Sequence, residues 1–404
     1  MLARHLALFT SALLILSGCS SDTSKLAADG GADGGAVPKI DFSQYDAAIS
    51  AFLVEHKLKG ASGVVVHKDY GVVHVQGYGD YPPDRLYLVA SSSKVVSVGV
   101  LMRLADMGKL DIDAPIGQYL SAWGPNGKPD LEVAQLLSNS SGLVGLVDNP
   151  TYAPYICQYI DSGTLSDCAK TIYTANDADR RVPPDTSFHY GGGQWQLAGG
   201  IAEVVSGKKW ADLVKETYVD PCDAPSVGYA NQYLKASQSG DGGVSAALRY
   251  PSFFQGNLAN LSQTDNPSIE GGLFTTAEDY GKILLMHLRG GTCDGQRVLS
   301  ESAVARMQVD RILEKYHGST SGTAGAATMM DAGSNALEGY GLGWWIDRIH
   351  EGVFADPGAY GAFPWLDLPR GYGAFIILES DAGTGTELWA KVKPELDAAF
   401  DSAK

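Results

Sequence analysis

Between Val95 and Met107 nearly every position is apolar, only Arg103 and Asp106 carry charge, and Gly108 follows. A stretch apolar on all sides predicts a helix buried in the middle of a domain, with the glycine as its stop. Upstream, Tyr45, Ile49, Phe52 and Leu53 recur at helical spacing over 42–56, and Gly60 is the expected end of that helix. Two apolar or alternating runs, 63–67 and 71–75, flank Lys68-Asp69-Tyr70 and predict a β-hairpin. Helical spacing then dominates over 131–137, 194–205 and 209–218, separated by loops rich in Gly, Pro, Ser and Asp, and again over 276–288. Strand patterns return only at 340–346, 353–358 and 372–379. The economical architecture is α/β: one sheet assembled from both ends of the chain, with a mainly helical lobe inserted over about 113–265. The stretch 318–333, rich in Gly, Ser, Thr and Ala, is expected to be a mobile surface loop.

The first forty residues follow a different pattern. Arg4 and His5 precede an apolar run from Leu6 to Leu16, too short to span a bilayer, which reads as a secretory signal. Leu16-Ser17-Gly18-Cys19 resembles the lipobox of bacterial lipoproteins, in which the cysteine is acylated and becomes the new N-terminus, and Ser20 after it resembles the signal for outer-membrane sorting. The expected organisation is a signal peptide over 1–18, a lipid on Cys19, a flexible tether over 19–40 and one domain over 41–404 held at the cell envelope.

Composition narrows the partners. The 404 residues are 45% hydrophobic, enough for a large core in two lobes, and Lys+Arg 30 against Asp+Glu 46 gives a net charge of -16. That sign argues against nucleic acid or an anionic membrane surface, leaving the lipid anchor as the membrane contact. Four cysteines remain beyond Cys19, an even number in a chain expected to meet an oxidising compartment. Cys157–Cys168 is the preferred pair on proximity, leaving Cys222–Cys293, among three possible connectivities. No H-E-x-x-H, P-loop or dinucleotide fingerprint is present, so neither a metal nor a cofactor is expected.

The chemistry begins at the N-terminus of the buried helix, where Ser91 and Lys94 stand three residues apart. Residues at i and i+3 share a helix face, so the amine can reach the hydroxyl while free backbone N–H groups point outward beside it. A serine hydroxyl needs a base, and a lysine pressed into an apolar wall tends to lose its charge and become one. The helix end also offers partial positive charge to an oxyanion. Alone, S-x-x-K more often describes a helix-capping serine followed by a surface lysine.

The surrounding motifs decide between these readings. Ala90-Ser91-Ser92-Ser93-Lys94 and the exit 104–115, Leu136-Leu137-Ser138-Asn139-Ser140-Ser141-Gly142-Leu143, Phe188-His189-Tyr190-Gly191-Gly192, Gly271-Gly272-Leu273-Phe274-Thr275 and Tyr340-Gly341-Leu342-Gly343-Trp344-Trp345 occur in one order. In that order they resemble the serine β-lactamase-like hydrolases of the class C type, which include penicillin-binding carboxypeptidases and related esterases. The resemblance runs over about residues 42 to 380. It implies the β-lactamase-like (DD-peptidase) fold, with an antiparallel sheet flanked by helices. It also implies a Ser91 nucleophile, Lys94 as base, Tyr190 as a third group passing a proton to the leaving group, and oxyanion donors from the Ser91 and Ala359 backbones.

Two departures bear on the substrate. Where the family's Y-x-N motif has Asn, this chain has Gly192, removing the carboxamide that in β-lactam enzymes holds the substrate amide and contacts the lysine; Gln194 is a candidate replacement. The family's Lys or His of the third motif falls on Asp356, followed by Pro357, Gly358 and Ala359. An ionised Asp there repels a substrate carboxylate by roughly a few kcal/mol at ~4 Å, unless it pairs with an arginine such as Arg370. Gly192, Gln194, Asp356 and Gly358 are therefore the candidate substrate-binding positions. The leading expectation is an esterase-like enzyme acting on a small-molecule ester or amide whose acyl part lacks an essential carboxylate. A D-amino-acid amidase or peptidase with Asp356 on the substrate amine, a β-lactamase or carboxypeptidase, and a catalytically silent envelope-binding protein are the alternatives.

Overall fold

A seven-stranded antiparallel sheet joins the two ends of the chain, in the spatial order Gly71–Gly79, Gly60–His67, Tyr372–Leu378, Ala362–Asp367, Val353–Ala355, Trp345–Asp347 and Glu338–Tyr340. The computed structural model describes residues 39–146, 148–238, 243–312 and 338–403. The signal sequence, Cys19, nearly all of the tether and the 318–333 stretch lie outside the described residues.

Period-two alternation in the central strands serves two separate cores. Val64, Val66, Phe375 and Ile377 face the Ala277–Leu288 helix and the main hydrophobic cluster. Val65, Ala374, Ile376 and Leu378 face the Ser43–His56 and Ala382–Ser402 helices, which pack on each other through Ile49, Phe52, Leu388 and Leu396. Covered on both sides, these strands read as continuous apolar runs, and each fully buried Val or Leu side chain contributes about 1.5–3 kcal/mol. The outer strand Gly71–Gly79 is only half-buried and closes one edge.

The all-apolar stretch forms the helix Lys94–Asp106, with every residue from Lys94 to Met102 buried. It lies between the sheet and the helical lobe, whose members include Val133–Leu137, Leu165–Thr174 and Gly193–Ser206. Cys157–Cys168 lies within that lobe and Cys222–Cys293 ties it to the short strand Thr292–Cys293, the preferred pairing of the four cysteines.

Several boundaries differ from the sequence reading. Lys57, in the left-handed conformation, ends the first helix, and Gly60 instead starts a strand. The expected strand at 340–346 is two strands turning at 341–344, closed by the Gly341 N–H donating to Trp344 O at 2.9 Å. The helix expected at 209–218 is Trp210–Val214 running into one wider π turn, Lys215–Val219.

Candidate active site

Three consecutive serines enter the core helix through a 3-10 turn, Ala90–Ser93, and only one faces the solvent. The Ser92 hydroxyl donates to Asp356 O (2.6 Å) and the Ser93 hydroxyl to Ala90 O (2.5 Å), while Ser93 Oγ also accepts from the Leu273 N–H (3.0 Å). The Tyr280 hydroxyl holds Ser92 O at 2.7 Å. These contacts nail the turn to the strands on either side of it. They also keep Ala90 at φ 49°, a left-handed conformation that a side chain bearing Cβ adopts only where its surroundings impose it. Ser91 is left free to reach outward, 8% exposed where Ser92 and Ser93 are fully buried.

Lys94 lies wholly buried beneath Ser91, its Nζ donating to Ser91 Oγ at 3.1 Å. The wall around it is not apolar, which overturns the expectation of a neutral amine. Glu270 Oε2 lies 3.2 Å from Nζ, Glu270 O accepts from it at 3.2 Å, and the Tyr190 ring sits beneath it at 4.5 Å. Burial pulls the ammonium's pKa down, but Tyr190, Glu270 and Asp356 together outweigh it and leave the pKa above its ordinary value. Lys94 therefore rests as an ammonium.

Tyr190 is brought to the same point by the segment 139–146. Asn139 O accepts from the His189 N–H (2.8 Å), and the Leu146 N–H donates to Tyr190 O (2.8 Å). Asn139 Oδ1 collects N–H groups from Gly191 (3.0 Å) and the Trp195 indole (2.8 Å). The Tyr190 hydroxyl is buried without a well-aligned hydrogen bond. Burial raises its pKa, while Lys94 and the Ser91 hydroxyl pull it back.

The four candidate substrate positions fare differently. Gln194 neither replaces the missing Asn nor faces water. It is fully buried, accepting from the Ser141 hydroxyl (2.7 Å) and donating to His189 O (2.6 Å) and Gly191 O (2.8 Å), so it locks the turn that carries Tyr190. Gly192 has φ 86°, and a Cβ there would lie 3.0 Å from Val144 O and from the Leu146 nitrogen, so an Asn has no room. Gly358 is a close-approach position: a Cβ would sit 2.1 Å from Val89 O and 3.2 Å from the Ser92 nitrogen. This contact presses the turn bearing Ala359 against the Ser91 turn, and neither the Ser91 nor the Ala359 N–H donates to another described group.

Asp356 is buried, with Oδ2 accepting the Val95 N–H at 3.0 Å. Burial drives its carboxyl well above the carboxylate range, against the opposing pull of Lys94 and the backbone N–H groups. Its carboxyl has no exposure and is turned inward against the helix start, so neither repulsion of a substrate carboxylate nor capture of a substrate amine falls to it. Arg370 is committed elsewhere, to Asp367 (3.1 Å) and Asp401 (3.1 Å).

Sequence reasoning missed Glu270. Its Oε2 also accepts the Gly192 N–H at 3.0 Å, and its side chain is 7% exposed. Glu270 also lines a cavity of about 230 Å³, together with Leu146, Ile156, Tyr159, Ile160, Tyr233 and Leu234. The only signal was its place beside Gly271-Gly272; nothing local predicts that residue 270 meets the helix at residue 94.

A family model described as Beta-lactamase matches residues 45–393. The chain belongs to the beta-lactamase family. Among proteins similar to it, penicillin-binding protein 4 of Amycolatopsis lactamdurans is 26% identical over 386 residues, covering 88% of this chain and 90% of that protein. The esterase/beta-lactamase LipL of Mycobacterium tuberculosis is 28% identical over 151 residues, 36% of this chain and 32% of its own length. A crystal structure of a putative beta-lactamase from Bacteroides dorei superposes with a TM-score of 0.67 at 23% identity, covering 88% of this chain and 98% of that one. With the fold and family in place, the protein is a serine hydrolase.

Proposed function

We propose that this beta-lactamase family member is a lipid-anchored enzyme of the cell envelope that hydrolyses esters with an apolar acyl part through an acyl-enzyme on Ser91. Ser91 Oγ attacks the ester carbonyl carbon, and its proton passes to the Lys94–Tyr190 pair and on to the departing alkoxide, which leaves as the alcohol. Water then adds to the acyl-enzyme, and the carboxylic acid departs with Ser91 restored. The Ser91 and Ala359 N–H groups receive the oxyanion in both halves. The lipid anchor rests on the Leu16–Cys19 pattern.

The observation that carries the reading is the Ser91–Lys94–Glu270 contact, whose Glu270 also lines an apolar cavity with no lysine or arginine in its described lining. A carboxylate-bearing substrate finds no counter-ion there. LipL, named for both esterase and β-lactamase activity, is a relative in which the two coexist, so the substrate class is a matter for measurement.

Intact-mass spectrometry with a fluorophosphonate, beside turnover of p-nitrophenyl butyrate and nitrocefin, tests the proposal. The expected result is one adduct, lost in Ser91→Ala together with ester turnover, and butyrate hydrolysis far above nitrocefin hydrolysis. An unlabelled protein makes the chain a binding protein, and a preference for nitrocefin makes it a β-lactamase.

A further inference from the structure

We infer that Glu270 is a specificity-determining residue: it stands where the Y-x-N carboxamide would act, holds Lys94, and selects against substrates that must receive a hydrogen bond from that carboxamide. The inference rests on the esterase reading and extends it to the choice of acyl group.

The carboxylate and the two glycines fit one another. A Cβ on Gly191 would lie 2.5 Å from Glu270 Oε2, so the carboxylate occupies the space beside that glycine, and the same oxygen takes the Gly192 N–H. From there it makes the lysine contact at 3.2 Å that the family's Asn makes. Glycine at 192 is thus not a vacancy in the site, since Glu270 supplies a lysine contact while holding the Gly192 N–H.

The substitution is not chemically neutral. A carboxamide both accepts and donates, whereas an ionised carboxylate only accepts. Oε2 is occupied by the Lys94 and Gly192 donors, and Oε1, without a partner among the described residues, belongs to a side chain that lines the cavity. A substrate meeting that oxygen must offer a hydrogen-bond donor or avoid contact. The acylamido carbonyl of a penicillin or cephalosporin needs a donor, so acceptor meets acceptor at the cost of an unpaired buried polar group.

Glu270→Gln restores the carboxamide in the same volume. Its oxygen can keep the Lys94 and Gly192 contacts and its NH2 can take the place of Oε1. The titratable groups around the pair are Tyr190, Asp356, Tyr159, Tyr233 and Tyr340, all of which remain.

The test compares wild type, Glu270→Gln and Glu270→Ala for fluorophosphonate labelling, p-nitrophenyl butyrate hydrolysis, nitrocefin acylation and the pH profile of kcat/KM. Glu270→Gln is expected to raise the nitrocefin-to-butyrate ratio at least about tenfold and to move the pH limb toward acid, because Lys94 loses a neighbouring negative charge. Glu270→Ala is expected to lose at least about tenfold in kcat on butyrate without gaining nitrocefin acylation. Butyrate turnover at the wild-type level in Glu270→Ala overturns the inference. Should that variant not fold, an unchanged selectivity ratio and pH limb in the isosteric Glu270→Gln overturn it instead. A wild type that takes no fluorophosphonate overturns the hydrolase reading as well, whereas a labelled wild type with indifferent Glu270 variants removes only this inference.

Discussion

Lys94 and Tyr190 share a proton problem that fixes how the enzyme responds to pH. Both groups lie above their ordinary pKa values, Lys94 because its burial is outweighed by the pull of its neighbours, with the Glu270 carboxylate in direct contact, Tyr190 because burial outweighs the lysine. At neutral pH the pair holds both its protons, an ammonium and a phenol. It can accept the Ser91 proton only after releasing one, and the fraction in that state rises with pH. The kcat/KM for a neutral ester is therefore expected to climb across about pH 6 to 9, approaching tenfold per unit at the acid end, with no plateau near neutrality. Initial rates with Ser91→Ala as the blank separate this limb from hydroxide hydrolysis. A flat profile from pH 6 upward would falsify the raised pair and restore the neutral-lysine picture.

At the scale of elements, the site is a product of how two segments meet. The 3-10 turn Ala90–Ser93 approaches the chain between two sheet strands so closely that residue 358 has no space for a side chain. Gly358→Ala is expected to push the two apart and lower ester kcat at least about tenfold. KM should move little, because neither residue 358 nor residue 359 lines the apolar cavity. A fall in thermal stability of about 1–3 kcal/mol should accompany it; a variant with unchanged kcat would show that the Ala359 N–H takes no part. The same segments show what the sequence made legible. The core helix, the hairpin and the strand at 372–378 were readable because burial on every side, or on two alternate faces, writes itself as apolar runs. The strand Ala362–Asp367 was not, because Pro364 sits in its middle and argues against a central strand. The helix Ala382–Ser402 was hidden by Gly383, Gly385 and Pro394, although Leu388, Val392, Leu396 and Phe400 form a stripe at four-residue intervals. Ser91, Lys94 and Tyr190 could be picked out because a motif keeps them at fixed spacing. Glu270 is 176 residues from Lys94, and Asp356 turns inward to the helix start rather than out to a substrate; both facts belong to tertiary packing.

Across the whole molecule, the two disulfides close loops of unequal consequence. Cys157–Cys168 spans 11 residues and clasps one turn to one helix, whereas Cys222–Cys293 spans 71. Within those 71 residues lie Tyr233, Leu234 and Glu270 of the cavity wall. In the chain-entropy account, closing the longer loop restricts the unfolded chain by about 4 kcal/mol and the shorter by about 3. The paired substitution Cys222→Ser with Cys293→Ser is therefore expected to lower Tm more than Cys157→Ser with Cys168→Ser. The functional effect should also be uneven. Ser91 and the turn that carries it are held by Asp356 and Ala90, which lie outside the 222–293 loop, as well as by Tyr280 and Leu273 within it. Opening the long loop should thus raise KM for an apolar ester before it abolishes fluorophosphonate labelling. Thermal melts and steady-state kinetics of the two double variants, measured below both melting points, check this. Equal KM in both would mean that packing alone, without the covalent tie, holds the cavity wall and Glu270 in register with Lys94.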